Sequence, residues 1–536
     1  MRSLLFPLLL IGTPAAAASF VVDTGADSAS SACTEAADDC SLRGAMTRSN
    51  LTPAADTIEF AIPNTDSSFV AATAHWRIAV ATALPPIEQE VLIDGYTQPG
   101  ALANTLTPQA GGSNAQLKIE VQPANPSDML NGFEISLNFF SQPASVVRGL
   151  AINRFVSQVL FTGGSAHRLE GCFLGTDISG SQASLPGNSA QRFGVRIFGP
   201  GAYVIGGITP EARNLIGGLN YAISMFAAAD GLRIEGNLIG TNAAGTAPLP
   251  IRENAISSSA PLTNARIGGI DPGARNLISN SAFQAIYLSS SGSADPYAGT
   301  RIEGNYFGTD ITGRRPMGNG LSPSSPSQPQ ATISLFGSAC PLAIGGTAPG
   351  QANLIAFGGA AGIHVGSCRG VSSPLNHFYG NRGIPIDLSA SSNPDGATAN
   401  DANDPDDGGN RLQNWPVATL PAGFLPAGGS NTDITVSVDT APANATYPLT
   451  VDVYRADCGG GSAQLIGSSV IQAVDAQLPR TFAITSADTS NLLPLTLLTR
   501  DALGNTSEFA PMQGDAISAY GMEDVAAALP SGHCRG

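Results

Sequence analysis

RIEGNLIGTNAAG, residues 233–245, has two near copies in the chain, RLEGCFLGTDISG and RIEGNYFGTDITG, which begin at Arg168 and Arg301. A second unit alternates with the first and reads IGGITPEARNLIGG, IGGIDPGARNLISN and IGGTAPGQANLIAFGG, beginning at Ile205, Ile267 and Ile344. Successive copies of a unit begin 62 to 77 residues apart. A long period of this kind in a glycine-rich chain indicates a repeat architecture.

A shorter element inside these units sets the size of the repeat. Asn followed by Leu, Tyr or His and then by Ile or Phe occurs in three pairs with internal spacings of 23, 29 and 23 residues, at Asn214, Asn237, Asn276, Asn305, Asn353 and Asn376. A step of about 23 residues suits one coil of a parallel β-helix, so we expect about three coils in each long period. We predict that the six asparagines form a ladder at one bend, with their amides bonded to one another and to the backbone. Cys172 takes the Asn position in the first copy, and we expect a buried, unpaired thiol there.

On either side of the repeats the character of the sequence changes. Before them, SLRGAMTRSNL from Ser41 predicts a short amphipathic helix that covers the first coil. After them, period-two segments such as TDITVSVD and YPLTVDVYR predict a small antiparallel β-sandwich. We therefore expect an all-β chain with a signal peptide at 1–18, an N-terminal cap at 19–70, a parallel β-helix at 71–412, a β-sandwich at 413–512 and a tail at 513–536.

Charge and the N-terminal residues point to an exported protein that does not bind nucleic acid. The chain has 25 Lys plus Arg against 41 Asp plus Glu, a net charge of −16, whereas nucleic-acid binding requires a basic surface. MRSLLFPLLLIGTPAAAA has the layout of a secretory signal peptide, and no later segment is long and apolar enough to span a bilayer. We expect a secreted or surface-held protein without a transmembrane segment.

The cysteines fit this compartment. An exported chain with seven cysteines is predicted to form disulfides. Cys33 and Cys40, seven residues apart in a polar loop, are predicted to pair. The pairing of the others stays open at this stage: Cys340, Cys368, Cys458 and Cys534.

No residue receives a catalytic role from the sequence. Glu170, Glu235 and Glu303 recur two residues after an arginine. A separation of three coils corresponds to roughly 14 Å, beyond the ~5 to 9.5 Å of a glycosidase carboxylate pair, so we expect a solvated Arg/Glu stripe. The polar residues of the GTD and GTN turns are predicted to cap those turns: Asp177, Asn242 and Asp310.

Two other groups are candidates for metal or acid–base chemistry. His364 is expected to point outward, and a site shared with His377 is one interpretation. The run NDANDPDDGGN concentrates carboxylates at Asp401, Asp404, Asp406 and Asp407. Ca²⁺ takes six to eight oxygen ligands, so this run is either a Ca²⁺ site or a solvated linker, and no other cofactor is indicated.

Several motifs occur in order along the chain: CSLRGAM from Cys40, LPPIEQEVLIDGYTQPG from Leu84, VVRGLAINRF from Val146, NRGIPIDL from Asn381 and DALGNTSEF from Asp501. Together they resemble the bacterial secreted right-handed parallel β-helix proteins that carry a CSLREA-type N-terminal motif. The resemblance covers most of the mature chain and implies export and a pectin-lyase-like, right-handed β-helix, but no settled reaction. One departure is Gly44, where the family motif usually has Glu. Glycine there lowers the helix propensity of the cap.

These features predict a non-catalytic extracellular or surface protein of a bacterium, whose long β-helix faces bind glycans or other surface partners. The alternative is a secreted polysaccharide lyase or glycoside hydrolase that acts in a groove of the β-helix. Two carboxylates, or carboxylates with arginine, in a concave and aromatic-lined groove would favour this alternative.

Overall fold

A computed structural model describes residues 16–108, 110–136, 144–184, 191–290, 295–322, 328–419, 431–456, 462–485 and 495–511. The predicted fold class is confirmed: the chain is nearly all β, with long parallel sheets followed by antiparallel sheets. Most of the predicted signal peptide, the predicted tail, Cys458 and Cys534 lie outside the described residues. Within the described part of the chain, no helix is long and apolar enough to cross a lipid bilayer.

Three stacked sheets build the parallel β-helix. The first sheet contains, in spatial order, Ser19–Val22, Asp56–Phe60, Val91–Asp94, Val146–Arg148, Arg168–Glu170, Val204–Gly206, Arg233–Glu235, Arg266–Gly268, Arg301–Glu303, Leu342–Ile344 and Val371–Ser372. The second contains Phe133–Ile135, Ser157–Phe161, Phe193–Ile197, Tyr221–Met225, Ile256–Ser258, Ile286–Ser289, Ile333–Phe336, Ile363–Val365 and Ile386–Leu388. The third contains Phe69–Val70, His75–Val80, Ile119–Pro123, Leu150–Ile152, Phe173–Leu174, Leu215–Ile216, Leu238–Ile239, Leu277–Ile278, Tyr306–Phe307, Leu354–Ala356 and His377–Tyr379. A pair of short strands, Ala229–Asp230 and Leu262–Thr263, joins two coils outside these sheets.

Aliphatic side chains stacked coil upon coil fill the interior. In the second sheet one inward row consists of register-paired residues that are all 0 or 1% exposed: Val159, Val195, Ile223, Ile256, Ile286, Ile333, Ile363 and Ile386. β-Branched residues suit this position because they pack well on a pleated surface. Each buried side chain of this size contributes about 1.5 to 3 kcal/mol relative to exposure, so the rows hold the coils in register.

The expectation of three coils per long period is wrong, because each period spans two coils. Arg168 pairs in register with Val204, and Val204 pairs with Arg233. The ladder asparagines, which lie on successive coils, are separated by 23, 39, 29, 48 and 23 residues. Coil length therefore varies about twofold, because loops of different length leave the core at the corners.

The N-terminal segment contributes both a strand and a helix. Ser19–Val22 extends the first sheet by pairing with Asp56–Phe60, and the segment that connects these two strands contains an α-helix, Leu42–Ser49. Ser41 caps this helix by accepting a hydrogen bond from the Gly44 N–H at 3.0 Å. A Cβ atom on Gly44 would lie 1.8 Å from a backbone oxygen of Ser30. The loop packs so closely on the helix that no larger residue fits at position 44.

Two three-stranded antiparallel sheets follow the β-helix. One contains Val417–Thr419, Asn431–Ser437 and Arg480–Thr485, and the other contains Ser462–Ile471, Leu449–Ala456 and Leu495–Arg500. They share a separate apolar core that includes Ile434, Val451 and Leu497. The segment after Arg500 returns to the last coil, where Asn505 accepts a hydrogen bond from the Gly370 N–H at 2.7 Å. The sandwich is therefore bonded to the end of the β-helix.

Candidate functional site

The six predicted ladder asparagines lie in one buried column. Each Nδ2 donates to the Oδ1 of the next asparagine at 2.9 to 3.0 Å, from Asn214 through Asn376. The other N–H of each Nδ2 donates to a backbone carbonyl, as from Asn237 Nδ2 to the Ile205 carbonyl oxygen at 2.8 Å. The backbone N–H of Cys172 extends the column by donating to Asn214 at 2.9 Å. Every amide in the column is used inside the protein, so the column supports the fold and offers no group to a ligand.

Among the cysteines that the structure describes there are two disulfides, Cys33–Cys40 and Cys340–Cys368. The second pair joins neighbouring coils at the end of the β-helix, since the first-sheet strands beside these cysteines are register partners. Cys172 is a free, buried thiol. Burial raises the pKa of this thiol to about 12, so it stays protonated and unreactive.

The recurring glutamates are less exposed than expected. Glu235 and Glu303 are only 4% and 2% exposed, and their register partners on the preceding coil are the glycines Gly206 and Gly268. Glu235 pairs with Arg233 at 3.0 Å. Two coils rather than three separate successive glutamates, which corresponds to roughly 9.6 Å.

The other glutamates of this stripe are paired as well. Glu303 contacts Arg266 at 3.6 Å and accepts a hydrogen bond from Gln351 at 3.1 Å, and Glu170 pairs with Arg168. The residues of the GTD and GTN turns lie away from these pairs. Each accepts hydrogen bonds from backbone N–H groups four and five residues later, which closes its own turn: Asp177, Asn242 and Asp310.

His364 alternates with the core residues Ile363 and Val365, as expected of an outward-pointing side chain, but it is fully buried and does not reach solvent. The segment after Leu388 folds over it, and Ser389 Oγ lies 2.8 Å from His364 Nε2. Burial lowers the pKa of His364 to about 4, which keeps the imidazole neutral. His377 belongs to the third sheet, whereas His364 belongs to the second.

Three of the four predicted metal ligands converge between the last coil and the sandwich. Ligand oxygens of Asp401, Asp404 and Asp406 lie within 4.8 Å of one another. Asp407 is turned away and forms an ion pair with Arg369. The Oδ1 atoms of Asp401 and Asp406 are buried and have no hydrogen-bond partner among the described residues. These two atoms are the unsatisfied acceptors of the cluster.

Hydrogen bonds from the segment that follows the last coil and from the sandwich position this cluster. Asp404 accepts from Gln413 Nε2 at 2.6 Å and from Thr440 Oγ1 at 2.7 Å. Burial raises the pKa of Asp404 to about 6 despite these donors. Burial, together with the neighbouring Asp401 charge, also raises the pKa of Asp406. The folded chain therefore holds negative charge at this point against an electrostatic cost.

The sequence alone did not point to a group of aromatic rings on the outer face of the second sheet. Phe193 stacks on Tyr221 with ring centroids 4.9 Å apart, and Phe198 stacks on Phe226, also at 4.9 Å. Phe198 and Phe226 are 45% and 44% exposed. These four residues are the aromatic patch. A signal was present in FGVRIF and YAISMF, which both place aromatic residues five positions apart on neighbouring coils.

Arg196 lies among these rings. Its guanidinium carbon is 4.4 Å from the centroid of Phe193 and 4.6 Å from that of Phe198. In the described part of the chain no carboxylate pairs with Arg196, and its Nε has no hydrogen-bond partner. Burial lowers the pKa of Arg196, although the group stays charged at any physiological pH. Burial raises the pKa of Tyr221, and the charge of Glu253 acts in the same direction.

No protein-family model matches this chain, and the search of curated proteins finds no match. The fold and the patch define the class: a parallel β-helix protein that presents stacked aromatic rings and an unpaired arginine on an outer sheet face.

Proposed function

We propose that this protein is an exported, non-catalytic β-helix protein that binds glycans through the aromatic patch. The proposal rests on one observation: Phe198 and Phe226 stack on each other and yet are nearly half exposed on a rigid sheet. Grouped, exposed aromatic rings of this kind are typical of binding surfaces.

A sugar ring presents an apolar face of C–H groups and an edge of hydroxyls. The flat face of an aromatic ring covers the C–H face at little conformational cost, because an aromatic side chain has only two rotatable bonds. The two rings of each stacked pair come from adjacent coils, so their centroids lie about one strand spacing, ~4.8 Å, apart. Arg196 adds hydrogen-bond donors between them.

Export is supported by the N-terminal sequence and by the cysteines. Disulfides such as Cys33–Cys40 and Cys340–Cys368 persist in oxidising compartments. The ordered motifs that resemble the CSLREA-type secreted proteins favour the same location. We infer that the protein is secreted or held at the surface of a bacterial cell.

The alternative, a polysaccharide lyase or glycoside hydrolase, has less support. Two-coil spacing brings the glutamates of the first sheet close to the upper limit of ~9.5 Å for an inverting pair. However, Glu170, Glu235 and Glu303 are all held in ion pairs with arginines. A general acid or nucleophile needs a carboxylate that reaches the substrate, and these are covered by arginine side chains.

Binding is tested by affinity electrophoresis of the full chain in gels that contain soluble polysaccharides. Wild type is expected to be retarded by at least one polysaccharide, and a Phe198→Ala, Phe226→Ala double variant is expected to run freely. Ile270→Ala, which removes an apolar side chain 55% exposed elsewhere on the β-helix, is the matched control. Equal retardation of wild type and the double variant would remove the patch from the proposal. Release of reducing ends from any retarding polysaccharide would favour the enzymatic alternative.

We also propose that Asp401, Asp404 and Asp406 bind Ca²⁺. A single Ca²⁺ ion lies 2.3 to 2.6 Å from its oxygen ligands, so oxygens within 4.8 Å of one another fit around one ion. The buried, unpartnered Oδ1 atoms of Asp401 and Asp406 are the acceptors that such an ion satisfies. Because Asp404 also bonds to Thr440 of the sandwich, the ion would stiffen the junction between the two parts.

A further inference from the structure

Three polar side chains meet between the segment that follows the last coil and the sandwich, and each is bonded to the other two. Gln413 Nε2 donates to Asp404 Oδ2 at 2.6 Å and to Thr440 Oγ1 at 2.9 Å, and Thr440 Oγ1 donates to Asp404 Oδ2 at 2.7 Å. Gln413 and Asp404 are each 3% exposed, and Thr440 is fully buried. These three residues are the buried triad: a hydroxyl, a carboxamide and a carboxylate that are held in mutual contact away from water.

The backbone around the buried triad is fixed on both sides. Asn414, one residue after the glutamine, donates from Nδ2 to the carbonyl oxygens of Asp401 at 2.8 Å and of Asp439 at 2.7 Å. The hydroxyl of Tyr447 donates to the carbonyl oxygen of Thr440 at 2.6 Å. Groups that a structure holds in this way react as if each were present at a very high concentration, up to about 10⁵ to 10⁸ M in well-oriented cases.

The distances suit an acyl transfer from the glutamine to the threonine. Thr440 Oγ1 lies 2.9 Å from Gln413 Nε2, and the carboxamide carbon is one bond of about 1.33 Å from that nitrogen, so this carbon lies within about 4.2 Å of Oγ1. A movement of about 1 Å brings the two atoms to the ~3 to 3.5 Å at which such groups react. Asp404 bonds both to the hydroxyl that would lose a proton and to the nitrogen that would gain one, which is the position of a general base that then acts as a general acid.

We propose that Thr440 and Gln413 become joined by an ester bond that the folded protein forms by itself. Thr440 Oγ1 attacks Gln413 Cδ while Asp404 takes the hydroxyl proton. The Cδ–Nε2 bond then breaks, Asp404 returns the proton to the departing nitrogen, and one molecule of ammonia leaves. No oxidant, cofactor or metal ion takes part, so the bond is independent of the Ca²⁺ proposed above. Burial protects the ester afterwards, because water does not reach it to hydrolyse it.

The ester would give the junction a covalent tie. It joins two residues that are 27 positions apart, one in the segment after the last coil and one in the sandwich. Such a cross-link constrains the unfolded chain as a disulfide does, but a reducing agent does not break it. Cys340–Cys368 already ties the last coils together, and the ester would continue the covalent bonding into the sandwich.

The test is the intact mass of the full chain after reduction of its disulfides and overnight incubation with chelator. Wild type is expected to weigh one ammonia less than its processed sequence requires. Trypsin leaves both residues in one peptide, 412–455, which chymotrypsin cuts after Phe424. The two halves should stay joined in wild type, and hydroxylamine, which cleaves esters, should separate them and leave a hydroxamate at Gln413. A full mass, or free halves, in wild type would overturn the proposal.

Variants separate the reaction from the fold. Thr440→Ser keeps a hydroxyl and should lose ammonia as wild type does, whereas Thr440→Val has nearly the same shape and should keep the full mass. Asp404→Asn should also keep the full mass, because an amide does not take up the hydroxyl proton. Thr496→Val, at another fully buried threonine of the sandwich, is the matched control and should be cross-linked normally. Loss of ammonia from Thr440→Val, or its absence from Thr440→Ser, would also overturn the proposal.

Discussion

Replacing Glu508 by Gln should change how the stability of this protein depends on pH. Glu508 is 2% exposed and accepts two backbone hydrogen bonds, from Leu388 N and Thr398 N, both at 2.9 Å. Burial is the largest cause that raises its pKa to about 8, and the charges of Asp387 and Asp395 act in the same direction. The carboxyl group joins the C-terminal segment to the last coil, so its ionisation bears on that junction.

The sign follows from proton linkage. The folded chain keeps the Glu508 proton up to about pH 8, whereas the unfolded chain loses it near 4.5. The folded state therefore binds more protons across this window, and the free energy of unfolding falls as the pH rises from about 4.5 to 8. Moving the pKa from 4.5 to about 8 corresponds to about 5 kcal/mol, an upper bound on the loss above pH 8.

Glu508→Gln removes this pH-dependent loss of unfolding free energy and introduces a smaller loss of its own. An amide nitrogen cannot accept from a backbone N–H, so one of the two hydrogen bonds is lost at a cost of about 1 to 3 kcal/mol. The variant should be less stable than wild type at pH 5 and more stable at pH 9. Urea unfolding at pH 5, 7 and 9 measures both differences, with Glu88→Gln, an exposed position, as the control. A constant stability difference between Glu508→Gln and wild type over this range would refute the reasoning.

Three further outcomes are expected. Asn237→Ala should lower the free energy of unfolding by about 1 to 3 kcal/mol, because neighbouring amides lose buried partners, and an unchanged urea midpoint would count against the ladder. Peptide mapping without reductant should recover Cys33 linked to Cys40, whereas alkylation of both thiols in the folded protein would contradict the bond. Ca²⁺ at 100 times its Kd should stabilise the protein by about 2.7 kcal/mol at pH 7.5, and less below pH 6 as Asp404 protonates. A melting curve that chelator leaves unmoved, or an equal Ca²⁺ response in an Asp404→Asn, Asp406→Asn double variant, would leave this loop a plain linker.

The repeats were sufficient to predict the β-helix, because one recurring residue occupies one recurring place. Asn237 and Asn305 stand in equivalent positions of near-identical segments, and only a structure that repeats along an axis gives them the same surroundings. The number of coils did not follow from the same segments. Loops between strands differ in length, and length along the chain does not measure rise along the axis.

For the candidate sites, too, the sequence predicted one part and the fold decided the other. The acidic run was visible because its carboxylates are neighbours in sequence, but which of them converge depends on the turn, and Asp407 faces Arg369 instead. His364 is hidden by a segment 25 residues later, which alternation within one strand cannot anticipate.

The sequence by itself determined the class of fold and the residues that repeat within it, because periodic burial and periodic hydrogen bonding leave a periodic pattern in the chain. Tertiary structure alone decided which surface residues meet. Phe198 and Phe226 are 28 residues apart and stack only because their coils are adjacent. Glu508 bonds to Leu388 and Thr398, more than 100 residues earlier in the chain, and burial in that contact raises its pKa. Burial and contact depend on which coils lie next to one another, and the irregular loops that decide how many residues each coil contains carry no repeat.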